Sequence, residues 1–258
     1  MRSIVLGAGE GNRLRPYTDV RPKCMVPFLG TSMLQRSIDA HAALGLEKPT
    51  VVTGYRSDVI DTLGIPTRHN PDYARTNMVA SLMAARDLLD GGDDVLILYG
   101  DIIYEQRLLG ALLRCDAPAS MIVNTRWLEL WRERMDDPLQ DAETLRIDAG
   151  GNITDLGKKP KSIEDVQGQY TGMMRFSGEV AAKLPSIYEA LDPAGPYDGK
   201  DRDNMYMTSF LQHLIDEHCP IKAINVDGGW LEIDTVEDLE RYEALDESGD
   251  LARHCTLA

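Results

Sequence analysis

The chain has 258 residues, 43% of them hydrophobic, and a formal net charge of −15 at pH 7. That length and apolar content provide for one large α/β domain, or one domain with an appended lobe. The charge argues against nucleic acid or an anionic membrane as partner, since both require a basic surface. Were the substrate a polyphosphate, carboxylates and phosphates could share a site only with a divalent ion, and Mg²⁺ would then be expected. The four cysteines, at 24, 115, 219 and 255, form no C-x-x-C pair, so neither a zinc site nor a disulfide framework is indicated. No apolar run reaches membrane-spanning length, and the N-terminus enters a strand without a signal peptide's apolar region. A soluble, cytoplasmic protein is expected.

The first element is a short apolar run, Ile4 to Leu6, which empties into glycines at 7, 9 and 11, then Arg13, Pro16, Thr18 and Pro22-Lys23. Glycines after a strand let backbone N–H groups turn toward phosphates, and two cations can neutralise what the amides cradle. Three glycines alone would equally suit an ordinary β–α turn. A dinucleotide fingerprint needs glycine where Asn12 stands, and a Walker A loop needs G-K-[ST] at its close; both are absent.

Beyond the loop, Ser32 caps a helix carrying Met33, Leu34, Ile38, His41, Ala42 and Leu44 at roughly helical spacing. Thr50–Thr53 reads as a buried strand, 57–63 as a short helix and Thr67–His69 as a short strand before an Asn70-Pro71 turn. Met78, Leu82, Ala85 and Leu89 mark one face of a helix that ends at Gly91-Gly92. Val95–Tyr99 is a fully apolar strand delivering Gly100-Asp101 at its carboxyl end, where open α/β sheets bind ligands. Glu105–Arg114 reads as a helix and Ala119–Val123 as a strand. The segment 124–177 loses this alternation and reads as an inserted mixed lobe with strand-like pieces at 144–147, 153–157 and 169–176. Gly, Pro and Asp crowd 192–204, a mobile surface loop. A helix at 206–217 and a strand at Ile221–Val226 follow. Thr235 and Asp238 then have the form of a capping box for a last helix, Val236–Leu245, before a polar, frayed tail at 248–258. The expectation is α/β: a three-layer, Rossmann-like fold on a mostly parallel mixed sheet, one domain at 1–247 with a small lobe.

The run G-x-G-x-G-x-R-L-x-P-x-T with the later P-K resembles the signature of the nucleotidylyltransferases that activate small phosphorylated molecules. Y-x-x-T-N-M at 73–78, W-x-x-x-W-x-x-R at 127–134, D-A-E-T at 141–144, G-K-K at 157–159, Q-Y-x-G at 169–172 and M-Y-M-T-S-F-L-Q at 205–212 are similar to the phosphocholine-type cytidylyltransferases. The last segment is especially close to the enzymes that make CDP-activated glutamine phosphate. The resemblance implies that a nucleoside triphosphate lies on Leu6, Gly7, Ala8, Gly9, Glu10, Gly11 and Asn12, with Asn77, Ser81 and Gly100 near it. By matching position, Arg13 would hold the β- and γ-phosphates and Lys23 the α-phosphate. G-D-I at 100–102 and W-L-E-I-D-T at 230–235 are similar to the superfamily's metal motifs, which makes Asp101 and Asp234 the Mg²⁺ ligands.

On the acceptor side, Lys159 aligns with a lysine that grips the acceptor phosphate in the sugar branch, and Lys158 stands beside it. Tyr170, Tyr206, Trp230 and Trp127 offer cation–π faces, or are ordinary core. Glu143 and Glu232 are candidates for an amino or ammonium group. Asn124 stands where many phosphocholine-type members have aspartate, which weakens the case for a choline-like cation. The expected reaction is transfer of CMP from CTP to a small phosphorylated or phosphonylated acceptor, with pyrophosphate released. The alternatives are a sugar-1-phosphate uridylyl- or thymidylyltransferase, and a catalytically silent nucleotide-sensing subunit. Apolar edges of the lobe allow a homodimer.

Overall fold

A computed structural model describes residues 1–257. Its centre is a seven-stranded sheet in the order Lys222–Val226, Ala119–Asn124, Gln169–Phe176, Val95–Tyr99, Arg2–Leu6, Thr50–Thr53, Thr67–His69. All neighbours run parallel except Gln169–Phe176, which is antiparallel to the strands on both sides. The expected Rossmann-like, mostly parallel mixed sheet is therefore present.

The strands alternate their burial between two faces, as a two-residue period requires. Leu96 and Leu98 join a core with Met33, Leu34, Leu108, Trp131 and Tyr242, whereas Val95 and Ile97 join another with Leu82, Leu184 and Phe210. Helices Met33–Ala43, Gln106–Leu113, Trp127–Arg134 and Val236–Ser248 cover the first face; Met78–Met83, Leu184–Ala190 and Met207–Glu217 cover the second. The three layers follow.

Local chemistry sets the boundaries. The Ser32 side chain accepts from the Gln35 N–H, and Thr235 and Asp238 form the reciprocal capping box their spacing predicts. Five details differ from the sequence reading. The helix expected through Leu89 is α-helical only over Met78–Met83 and tightens to a 3₁₀ turn at Arg86–Leu88, which still buries Ala85 and Leu89. The piece Gln169–Phe176 of the irregular segment lies in the main sheet rather than outside it. The last helix runs on to Ser248, and the tail beyond it is packed at Leu251–Cys255 rather than frayed, with Ala258 outside the described residues. Leu251 and Cys255, four residues apart, are buried against the core that holds Leu239 and Tyr242, and the Gly229 N–H donates to the His254 carbonyl at 2.6 Å. Finally, the 192–204 loop is tied down by the Asn77 N–H, which donates to the Asp203 carbonyl at 2.9 Å.

Candidate active site

The phosphate-loop residues emerge from the carboxyl end of Arg2–Leu6, between Thr50–Thr53 and Val95–Tyr99. The Gly7 N–H donates to the Val52 carbonyl and the Gly100 N–H to the Leu6 carbonyl, so the two glycine turns lie side by side. A Cβ on Gly100 would stand 2.8 Å from the Leu6 oxygen. Among the described residues no acceptor meets the N–H groups of Gly9, Glu10 or Gly11, which leaves these donors for a ligand. Thr18 closes the loop, its hydroxyl donating to the Gly11 carbonyl at 2.9 Å.

Gly11 is where glycine is required. Its φ is 68°, and a Cβ there would lie 2.8 Å from Cβ of Lys23. Gly11→Ala is therefore expected to cost about 1–2 kcal/mol for the left-handed backbone alone and to push Lys23 out of place. Thermal unfolding and turnover should both fall; wild-type turnover in a folded variant would show that the loop does not fix Lys23.

Lys23 begins a 3₁₀ turn after Pro22, and its side chain is 13% exposed. Its Nζ donates to Asp101 Oδ2 at 2.6 Å and to Asp234 Oδ1 at 2.7 Å, while the Arg13 guanidinium pairs with the other Asp234 oxygen. The two carboxylates are brought together by strand register. Ile102–Tyr104 pairs antiparallel with Trp230–Glu232, Ile102 opposite Glu232, and the Ile233 N–H donates to the Asp101 carbonyl at 3.2 Å. Burial works against the Lys23 charge, yet Asp101, Asp234 and Glu232 together hold its pKa above the ordinary lysine value. Burial also raises the Glu232 pKa, with Arg134 opposing and Asp101 adding to the shift.

Beside this cluster lies a cavity of about 380 Å³. Its lining includes Arg13, Asp234 and Asn77 together with the rings of Tyr99, Tyr170, Trp131 and Trp230. The rings of Trp131 and Trp230 stack at 6.0 Å, and those of Tyr99 and Tyr170 meet edge-on at 5.6 Å. Glu143, Glu232 and Asp141 supply carboxyl groups. Burial, then Asp141 and Asp198, push Glu143 up to about 7. Tyr206 lies at the rim, half exposed, with Lys200 Nζ 5.8 Å over its ring. Asn77 both lines the cavity and caps the helix at Met78, its side-chain oxygen accepting the Met78 N–H at 2.8 Å.

Other sequence candidates lie elsewhere. Ser81 is buried, accepting from Asn70 Nδ2 at 3.0 Å. Lys158 pairs with Asp155 at 2.5 Å, and Lys159 donates to the carbonyls of Leu139 and Gln140, so neither ammonium is turned into the cavity. Asn124 is 1% exposed and its Oδ1 accepts the N–H groups of Arg126 and Gly228, which gives the amide a structural task away from the cavity. Trp127 is core, donating to the Val166 carbonyl; the cavity ring on its helix is Trp131, one turn on. Sequence reasoning also passed over Gln169 as a site residue. Its side-chain oxygen is buried without a partner, and it opens the quoted Q-Y-x-G segment at the cavity wall.

Among the described residues no cluster of three or more metal-ligating side chains exists. The site offers two adjacent carboxylates, and Asp101 Oδ1 is buried without a hydrogen-bond partner. Two carboxylates completed by substrate phosphates and water are what Mg²⁺ commonly takes, so these residues fit that ion.

A CTP:phosphoglutamine cytidylyltransferase of Campylobacter jejuni is 37% identical over 249 residues, covering 93% of this chain and 98% of that protein. A UTP–glucose-1-phosphate uridylyltransferase of Haloferax volcanii is 27% identical, covering 94% of this chain and 95% of its own length. The solved structure of a CTP:phosphocholine cytidylyltransferase from Streptococcus pneumoniae superimposes with a TM-score of 0.68 at 18% identity, over 96% of this chain and 98% of that one, which shows the shared fold. The MobA-like NTP transferase domain matches residues 3–155, and the chain belongs to this family of nucleotidyltransferases.

Proposed function

We propose that the protein is a Mg²⁺-dependent cytidylyltransferase that moves CMP from CTP to a small phosphorylated or phosphonylated acceptor bearing an amino group, and releases pyrophosphate. The observation that carries this reading is Lys23 held between Asp101 and Asp234 beside an aromatic, carboxyl-bearing cavity that Asp234 lines. The relative named for phosphoglutamine, 37% identical, supports the choice of CTP over UTP. A single domain that takes in the packed residues 251–255, with the lobe on the acceptor side, a cytoplasmic setting and a homodimer complete the proposal. No helix among the described residues is long and apolar enough to cross a membrane.

In this reading the unpartnered loop amides and Arg13 bind the β- and γ-phosphates, and Lys23 leaves its two carboxylates to meet the α-phosphate. An acceptor phosphate oxygen attacks the α-phosphorus in line, the bond to the bridging oxygen breaks, and pyrophosphate departs with that electron pair. No protein nucleophile is needed; positioning and charge neutralisation supply the rate. Asp101 and Asp234 would hold the metal ion, which when bound neutralises charge on the phosphates. Trp131, Trp230 and Tyr170 exclude water around the acceptor, and Glu143 faces its amino group.

Glu143 sets a pH test. Its folded-state pKa, about 7 against an ordinary 4.5, means its contribution to stability is fully present below the unfolded value and is lost as pH rises through the folded one. Acceptor binding has the opposite sign, because only the ionised carboxylate attracts an ammonium. The KM for an amino-bearing acceptor should therefore fall between about pH 6 and 8, and Glu143→Gln should remove that part of the slope. An unchanged profile in the variant would take Glu143 out of the acceptor site.

The function itself is tested by pyrophosphate release with Mg²⁺ and each of CTP, UTP, ATP, GTP and dTTP, against phosphocholine, glutamine phosphate, 2-aminoethylphosphonate and glucose-1-phosphate. Turnover with CTP and an amino-bearing acceptor is expected. Turnover only with UTP or dTTP and the sugar phosphate would replace this reading. Metal-dependent nucleotide binding without pyrophosphate release would point instead to a sensing subunit.

A further inference from the structure

Arg134, at the end of helix Trp127–Arg134, has no part in the chemistry above, yet it occupies a singular place. Its side chain is 3% exposed and meets four partners, one of them Asp141, whose Oδ2 lies 3.7 Å from Nη1. Nε donates to Asp238 Oδ1 at 2.9 Å and Nη2 to Asp238 Oδ2 at 3.2 Å, a two-pronged grip on one carboxylate. Nη1 donates to Glu232 Oε2 at 3.3 Å, on the wall of the cavity. The guanidinium carbon also lies 5.0 Å over the Trp131 ring, which is stacked on Trp230.

Asp238 is itself more than a helix cap. In an ordinary capping box the third-position carboxylate accepts the N–H of the capping residue. Here Asp238 Oδ2 accepts two, from Thr235 and from Asp234, each at 3.0 Å. The backbone of Asp234 is thus fixed by a carboxylate that Arg134 holds from another segment of the chain. One guanidinium therefore anchors the turn bearing Asp234, the orientation of Glu232 two residues earlier, and the ring that walls the cavity.

We infer that Arg134 is a positioning residue for the metal site: through Asp238 it sets the direction of the Asp234 carboxylate, and through Glu232 it ties that direction to the acceptor cavity. This rests on the reading of Asp101 and Asp234 as metal ligands. Partners of this kind matter because a ligand that must first be ordered binds its ion less well, and losing them typically lowers metal affinity about 10–100-fold.

The test is Arg134→Lys in the full chain, which keeps the charge but not the fork that spans two carboxylates. Mn²⁺ binding in the presence of CTP is measured by electron paramagnetic resonance, alongside thermal unfolding and the Mg²⁺ dependence of pyrophosphate release. The expected result is a Kd for Mn²⁺ raised about tenfold or more, with turnover largely restored by excess Mg²⁺ and the KM for CTP at saturating Mg²⁺ near that of the wild type. Unchanged Mn²⁺ affinity, with or without a lower Tm, would reduce Arg134 to an ordinary structural ion pair and overturn the inference alone. Wild-type protein that binds no Mn²⁺ with CTP would overturn the metal-site reading and this inference with it. Should Arg134→Lys fail to fold, Asp238→Asn retains a cap acceptor while losing the charge that Arg134 grips, and the same two outcomes apply to it.

Discussion

Replacing Lys23 with alanine is expected to lower turnover by about two orders of magnitude or more, the scale of losing one preorganised electrostatic contact to a transition state, and to leave a folded protein that responds more strongly to metal. The argument begins with what the ammonium now touches. Its Nζ donates to both Asp101 and Asp234, and its charge is held against burial by these two carboxylates and Glu232. Without it, three acidic groups face one another with only Arg13 and Arg134 nearby. Like charges so placed repel, and a divalent ion relieves the repulsion. The variant should therefore melt below the wild type without metal, and Mg²⁺ should raise its Tm more than it raises that of the wild type. The KM for the acceptor should change little, because Lys23 does not line the cavity. Near-normal turnover in the purified variant would remove Lys23 from the chemistry. A Tm indifferent to Mg²⁺ would remove the ion from the two carboxylates.

The parts of this site that were legible in the sequence are those whose chemistry is local. Gly7 to Lys23 could be read because a strand end, glycines and two cations at fixed spacing report directly on a backbone built to bind phosphate. Thr235 and Asp238 could be read because a capping box joins residues three apart. The nearness of Asp101 and Asp234 could be anticipated only through resemblance. What enforces it is a short antiparallel pairing of three residues from each strand, Glu232 opposite Ile102, between segments far apart in the chain, and no periodicity records such a register. The antiparallel placement of Gln169–Phe176 was hidden for a similar reason: an apolar strand looks the same whether it enters the sheet upward or downward. The tail was misjudged because composition counts its charges, while its packing rests on a few residues such as Leu251 and Cys255 and on hydrogen bonds to Gly229 and Glu105. Lys158 and Lys159 show the limit of matching by motif. Alignment brings a lysine to the right place in the chain, but the direction of its ammonium is decided by Asp155 and by the carbonyls at 139 and 140.

Asp101→Asn should separate activity from stability, which Lys23→Ala lowers together in the absence of metal. Turnover is expected to fall by about 100-fold or more, because an amide is a poor partner for Mg²⁺, which takes one or two carboxylates together with phosphate oxygens and water. Stability should stay within about 1 kcal/mol of the wild type, since the two contributions oppose each other. The amide oxygen can still accept from Lys23 in place of Oδ2, and repulsion of Asp234 and Glu232 is lifted. Against that, the amide nitrogen must occupy the position of Oδ1, which is already buried without a partner, so one orphaned atom replaces another. Lys23 keeps its second carboxylate, Asp234, at 2.7 Å and has no reason to leave the site. Calorimetric titration with Mg²⁺ and CTP together should show weaker ternary binding, while the melting curve without metal stays near that of the wild type. Retained turnover with a lowered Tm would reverse the assignment and make Asp101 a structural counter-charge for Lys23. Retained turnover together with an unchanged Tm would leave Asp234 as the sole carboxylate required at the metal site.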